Sequence, residues 1–176
     1  MSLDLNHRAD LKNSGLSDET IAMMQVYSVP PTQIEKLLGW SDGAIISAMA
    51  FPYFDTEGKP NGFLRIKLFP EIKDSDGHKI KYAQKKGSAP RLYVLPAVLE
   101  LLNSAHVPLY IVEGEKKTAK AVESGLCAIG IGGLWSWTTG GSRELIADFE
   151  CVNVWRRQVF IVPDSDVWGD DKKCDQ

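Results

Sequence analysis

The chain has 176 residues, 44% of them hydrophobic, with 23 acidic and 20 basic side chains and a formal net charge of −3. This is the make-up of one large globular domain or two small ones, and the charge excludes a surface uniformly coated for nucleic acid. No apolar run reaches the roughly 18 residues of a membrane-crossing helix, and the first seven residues lack the charged-then-apolar pattern of an export signal, so a cytoplasmic protein with no membrane partner is expected. Cys127, Cys151 and Cys174 are widely spaced, and His7, His78 and His106 have no zinc-ligand spacing, so a structural zinc site is not expected and the cysteines read as plain thiols.

In chain order, residues 1–43 read as a helical segment. Ser17 ahead of Asp18 and Glu19 is a helix N-cap signal. Pro30-Pro31 then interrupts. Thr32 and Glu35 have the spacing of a capping box ahead of Ile34, Leu37 and Leu38, and Gly39 stops that helix. The segment has no catalytic signature and reads as a packing element.

Residues 44–95 read as a small antiparallel β-rich subdomain. Asp55-Thr56-Glu57-Gly58, Asn61-Gly62 and Asp74-Ser75-Asp76-Gly77 are turn signals. Residues 63–69 alternate apolar and basic, which predicts a half-buried strand with Arg65 and Lys67 on one exposed face. Lys79 to Tyr82 and Arg91 to Val94 are further short strands. Between positions 59 and 91 lie nine basic and three acidic residues, a local balance of +6, so this block has a basic face.

Residues 96–176 read as an α/β unit. The pattern predicts a helix over 96–103, a strand over 109–112, a helix over 116–124, a strand over 127–131, a helix over 142–148 and a strand over 158–162; the polar end, 170–176, reads as frayed. Strands alternating with helices imply a parallel, Rossmann-like sheet with flanking helices. In such sheets ligands bind beyond the carboxyl ends of the strands. Glu113 follows one apolar run, and Asp164 and Asp166 follow another, so the three carboxylates are expected to converge on one sheet edge. Carboxylates gathered this way repel one another unless a cation joins them; hard oxygen donors suit Mg²⁺, which completes its shell with phosphate oxygens. Taken alone, Glu113 reads equally as a solvated loop residue or a helix N-terminal charge, and the lysines as a solvated face. The run from Gly130 to Gly133 is either a tight turn or a close approach for a phosphate backbone. Trp135 and Trp137 are either packing residues or base-stacking faces.

The order Val112-Glu113-Gly114-Glu115, a helix, Ile129-Gly130-Ile131-Gly132-Gly133, then Val162-Pro163-Asp164-Ser165-Asp166 resembles a Toprim domain, the metal-binding domain of bacterial-type primases, type IA and type II topoisomerases and related nucleases. More closely, the chain resembles the Toprim-containing, primase-like replication proteins of phages and plasmids. The likeness runs from His7-Arg8-Ala9-Asp10-Leu11 and Ser14-Gly15-Leu16 through Pro52-Tyr53, Asp55, Arg65, Lys67, Lys81-Tyr82 and Arg91-Leu92-Tyr93 to Glu113-Gly114-Glu115-Lys116-Lys117. The resemblance implies that Glu113 is the Toprim glutamate, a metal ligand or general acid/base. It implies that Asp164 and Asp166 are the paired aspartates that hold Mg²⁺ or Mn²⁺. It further implies that Arg65, Lys67, Lys81, Tyr82, Lys116 and Lys117 face nucleic acid or nucleotide. Single-stranded DNA and nucleoside triphosphates are the expected partners, together with a separate replicative helicase or ATPase, since the chain has no Gly-x-x-x-x-Gly-Lys-Ser/Thr loop. A full Toprim domain continues with a further helix and strand, whereas ten residues follow Asp166, so the domain is expected to be incomplete at its C-terminal end. The expected activity is primase-type nucleotidyl transfer. Phosphodiester cleavage on the same scaffold, or a non-catalytic module that docks on nucleic acid or a replication partner, are the alternatives.

Overall fold

A period-two apolar pattern in the first half of the chain and continuous apolar runs in the second build two different sheets. The computed structural model describes residues 2–139 and 143–165, and the chain divides into two units, Met1–Ala89 and Pro90–Gln176. The first unit contains α1 (Leu5–Asn13), α2 (Asp18–Met24), β1 (Tyr27–Val29), α3 (Pro31–Leu38), β2 (Ser47–Phe54), β3 (Pro60–Lys73) and β4 (Lys79–Gln84). Its strands form an antiparallel sheet in the order β1-β2-β3-β4.

Register decides which residues share a face. Ala48 pairs with Leu68 and Ala50 with Ile66, and this face packs with Ile34 and Leu38 of α3 as one core cluster. The opposite face holds the pairs Met49–Lys67 and Ser47–Phe69. There α1 meets the sheet: the His7 ring stacks on Phe69 at 4.6 Å, and Lys67 Nζ lies 2.5 Å from Asp10 Oδ1. Both faces of central β3 are therefore covered, and the alternation along 63–69 does not mark a water-facing side. Lys67, expected on an exposed face, is only 5% exposed.

The second unit contains β5 (Leu109–Glu113), α4 (Glu115–Glu123), β6 (Cys127–Ile131) and β7 (Val159–Val162), with 3₁₀ turns at Pro96–Leu101 and Ala147–Cys151. Among the described residues its three strands are parallel, in the order β6-β5-β7, so the unit is a mixed α/β layer compatible with a Rossmann-like core. The helix α4 crosses from β5 to β6 and buries Thr118, Ala119 and Val122 at i, i+1 and i+4. The start of β7 is tied down by Arg157, which donates to the carbonyls of Val107, Leu102 and Leu101 at 2.6, 2.7 and 3.0 Å. An Arg guanidinium fans its donors in a fixed fork, so one side chain gathers the carbonyls of Leu101 and Leu102 and that of Val107.

Several elements differ from the sequence expectation. β1 is a strand inside the segment expected to be all helix, paired with β2. Ser17 caps α2 as expected, accepting from Thr20 N–H at 3.1 Å, but α3 starts at Pro31 and has no capping box. Proline at the first helical position lacks only an N–H that would be an orphan there. The stretch expected as a helix over 96–103 forms a 3₁₀ turn at Pro96–Leu101, and the carbonyls at its end, those of Leu101 and Leu102, are satisfied by Arg157. Of the helix expected over 142–148, Leu145 instead bridges to Thr138, and the 3₁₀ turn begins at Ala147. No helix of the described residues is long and apolar enough to cross a membrane.

Candidate metal centre

Glu113 is the last residue of β5, and Asp164 follows β7, its direct neighbour in the sheet; Val112 pairs with Val162. Parallel register thus brings the two acidic motifs to the same edge. The Asp164 N–H donates to Glu113 Oε2 at 3.1 Å, which fixes one carboxylate against the backbone that carries the other. The Asp164 carboxylate accepts from the ammonium of Lys117 in the first turn of α4. Asp166 lies outside the described residues, as do the residues 170–176 and Cys174. The carboxylates of Glu113 and Asp164 are hard oxygen donors on adjacent strand ends, the donor chemistry that hard cations take.

The turn from β5 into α4 is built for close approach. Gly114 has φ +90°, a conformation costly for any residue with a Cβ, and its N–H donates to Ile131 O at 2.9 Å. The Thr118 hydroxyl donates back to Gly114 O at 2.8 Å. On β6, a Cβ added to Gly130 would stand 2.6 Å from Thr118 Oγ1 and 3.0 Å from Tyr93 Cβ. Gly130 thus lets the helix and the Tyr93 segment close on the strand, which decides this residue in favour of packing. Sequence reasoning passed over Glu115 as a site residue. Its side chain is 3% exposed in the first turn of α4, where the helix dipole favours negative charge, and burial followed by the Glu115 charge pushes the Tyr93 phenol well above its usual range.

On the face of the sheet shared by Ile111 and Ile161, these two residues and Ile131 line an apolar cavity of about 390 Å³ together with Leu134, Trp135 and Trp137. Trp135 is 53% exposed. Among the described residues β7 forms one edge of the sheet, and its Phe160, Ile161 and Val162 are exposed.

The remaining expected site residues lie in two places. Lys116 and Lys117 sit in the first turn of α4, half-buried and exposed respectively. Arg65, Lys67, Lys81 and Tyr82 belong to the first unit. Arg65 lies over the Tyr82 ring at 5.5 Å, Lys81 is exposed, and Lys67 is paired with Asp10. Of the cysteines, Cys127 is buried against Arg157 and Cys151 is exposed.

A second group with metal-ligand chemistry, absent from the sequence expectation, lies in the β3–β4 turn. Asp74, Asp76 and His78 each offer one ligand atom, all within 4.8 Å of one another, and all three residues are on the surface. Its sequence signal is Asp-x-Asp-Gly-His. The backbone there repeats the β2–β3 turn: Asp74 Oδ1 accepts from the N–H of Asp76 and His78 as Asp55 Oδ1 does from Glu57 and Lys59. Turn formation alone therefore accounts for Asp74.

A family model described as a domain of unknown function (DUF3854) matches residues 99–173. The matched span contains Glu113, Lys117, Asp164 and Asp166, and every strand of the parallel sheet. No curated protein and no solved structure matches the chain.

Proposed function

We propose that this chain is a Toprim, primase-like protein of phage or plasmid DNA replication that joins nucleotides on a single-stranded DNA template with Mg²⁺ or Mn²⁺. The observation that carries the reading is the convergence of Glu113 and Asp164 at the C-terminal ends of neighbouring parallel strands, tied by the 3.1 Å bond from Asp164 N–H to Glu113 Oε2. Glu113 and Asp164 hold the cation, and Asp166, two residues on, is the third ligand of the set. When bound, the cation neutralises charge on the reacting phosphates. Glu113 supplies a carboxylate beside the nucleophile that can take its proton, and Lys116 and Lys117 draw phosphate oxygens to the start of α4. Arg65, Lys81 and Tyr82 hold template or incoming nucleotide on the antiparallel sheet. A transition state with loose bonds to the moving phosphorus needs chiefly positioning and charge neutralisation, which this set supplies. A replicative helicase or ATPase on another chain and a cytoplasmic setting complete the proposal.

The test is template-directed synthesis by the full chain, with a single-stranded oligonucleotide, nucleoside triphosphates and Mg²⁺ or Mn²⁺. Labelled product should form, and Glu113→Gln and Asp164→Asn should each reduce it by about 10²-fold or more. Cleavage of the oligonucleotide without added nucleotide would replace synthesis with hydrolysis. Tight DNA binding that survives both substitutions, with neither product nor cleavage, would leave a binding module.

A further inference from the structure

The ammonium of Lys117 stands at the carboxylate that the proposed metal site needs. Lys117 is the third residue of α4, and its Nζ pairs with Asp164 Oδ1 just beyond β7. Two features of the backbone put it there. A Cβ built on Gly114 would stand 3.6 Å from Lys117 Cε, so the lysine stem runs back across the bare face of that glycine. Asp164 is held from the other side by its N–H bond to Glu113 Oε2. The pair is half exposed, 49% for the lysine side chain and 47% for the aspartate, so ions in solution reach it. An ammonium and a divalent cation cannot both contact one carboxylate oxygen without strong mutual repulsion at that range.

We propose that Lys117 is a resident counter-ion that a divalent cation displaces from Asp164 when it binds. The inference rests on the metal-site reading above and concerns the regulation of that same site. Without a cation, Lys117 offsets one of the two negative charges of Glu113 and Asp164 and lets them lie side by side. With the cation in place, the ammonium is released but stays tethered to the first turn of α4, where the phosphate oxygens of a nucleotide are suitable partners. The site thus exchanges an internal cation for metal plus phosphate, and affinity for the metal alone is held down by the competition.

The experiment is a calorimetric titration of Mn²⁺ alone into the full chain, for the wild type, Lys117→Met, Lys117→Arg and Glu113→Gln. Methionine keeps the stem over Gly114 and removes the charge, so Lys117→Met should bind Mn²⁺ roughly five- to tenfold more tightly than the wild type. Arginine keeps the competitor, so Lys117→Arg should stay near the wild-type affinity, and Glu113→Gln should weaken binding. Detectable binding to Lys117→Met alone supports the proposal in its strongest form. Equal or weaker binding to Lys117→Met, with Glu113→Gln still weakening it, overturns the counter-ion role and leaves the metal site standing. No Mn²⁺ binding to either wild type or Lys117→Met, or binding indifferent to Glu113→Gln, overturns the metal reading and the counter-ion with it.

Discussion

His7 is 2% exposed, and both of its ring nitrogens are engaged. Nδ1 lies 2.6 Å from Ser28 Oγ and Nε2 lies 3.1 Å from Ser47 Oγ. Ser28 Oγ accepts from Asp4 N–H at 2.8 Å, which leaves its own proton for Nδ1. A neutral imidazole with its proton on Nε2 satisfies both contacts, Nδ1 accepting from Ser28 and Nε2–H donating to Ser47. Burial lowers the His7 pKa below 6.5; Asp4 and Asp10 pull it up, and Lys67 pushes it down. A base whose folded pKa is depressed takes up protons more readily once unfolded, so stability falls as pH drops from about 6.5 through the lower folded value, and is fully present above that window. Urea unfolding on either side of pH 6.5 should show the wild type weakening on acidification, while His7→Gln, which cannot titrate, should show a flatter profile over the same window. Equal slopes in the two proteins would mean that another group carries the pH dependence.

At the scale of elements, the decisive contact is between α4 and β6, because it sets the turn from which Glu113 and Lys117 emerge. Thr118 and Tyr93, the neighbours of Gly130, are buried, and Thr118 Oγ1 is engaged with Gly114 O, so neither can swing away cheaply. Gly130→Ala should cost ~1–3 kcal/mol of stability by overpacking. Denaturant melts should place Thr118→Ala/Gly130→Ala between the single variant and the wild type, since the hydroxyl at 2.6 Å is gone while Tyr93 Cβ at 3.0 Å remains; a Gly130→Ala protein as stable as the wild type would show that the helix is free to shift. β5 and β7 were readable because each is a run rich in β-branched and aromatic residues, β6 because it is a short run without charge, and α4 because its apolar residues recur at helical spacing. The convergence of Glu113 and Asp164 was readable too, since a residue at the end of a strand inherits its position from the sheet. Contacts between distant positions were not. Asp10 and Lys67 are 57 residues apart, and the basic side chain on an alternating strand looked solvated until α1 lay over it. Arg157 reaches back 55 residues to Leu102 and satisfies a carbonyl at the end of the 3₁₀ turn, a contact that no local pattern announces. The Lys117–Asp164 pair, 47 residues apart, was hidden for the same reason.

For the whole molecule, a net charge of −3 coexists with a local balance of +6 over residues 59–91, so affinity for nucleic acid depends on which of those basic groups still face water. Binding to single-stranded DNA releases counterions, and the slope of log affinity against log salt becomes shallower by about 0.7 for each phosphate that the protein no longer neutralises. Lys81 is exposed on β4, whereas Lys67 is 5% exposed and ion-paired with Asp10. Fluorescence anisotropy with a labelled oligonucleotide over a salt series should therefore show Lys81→Ala lowering the slope by about 0.7, while Lys67→Met leaves it unchanged. Circular dichroism on Lys67→Met separates a change in binding from a change in folding, because this substitution strips the cation from a pair whose lysine is buried. A Lys67→Met protein that is folded yet shows the same shallower slope as Lys81→Ala would mean that the Asp10 pair opens when DNA arrives, and that the basic face is wider than the free chain presents.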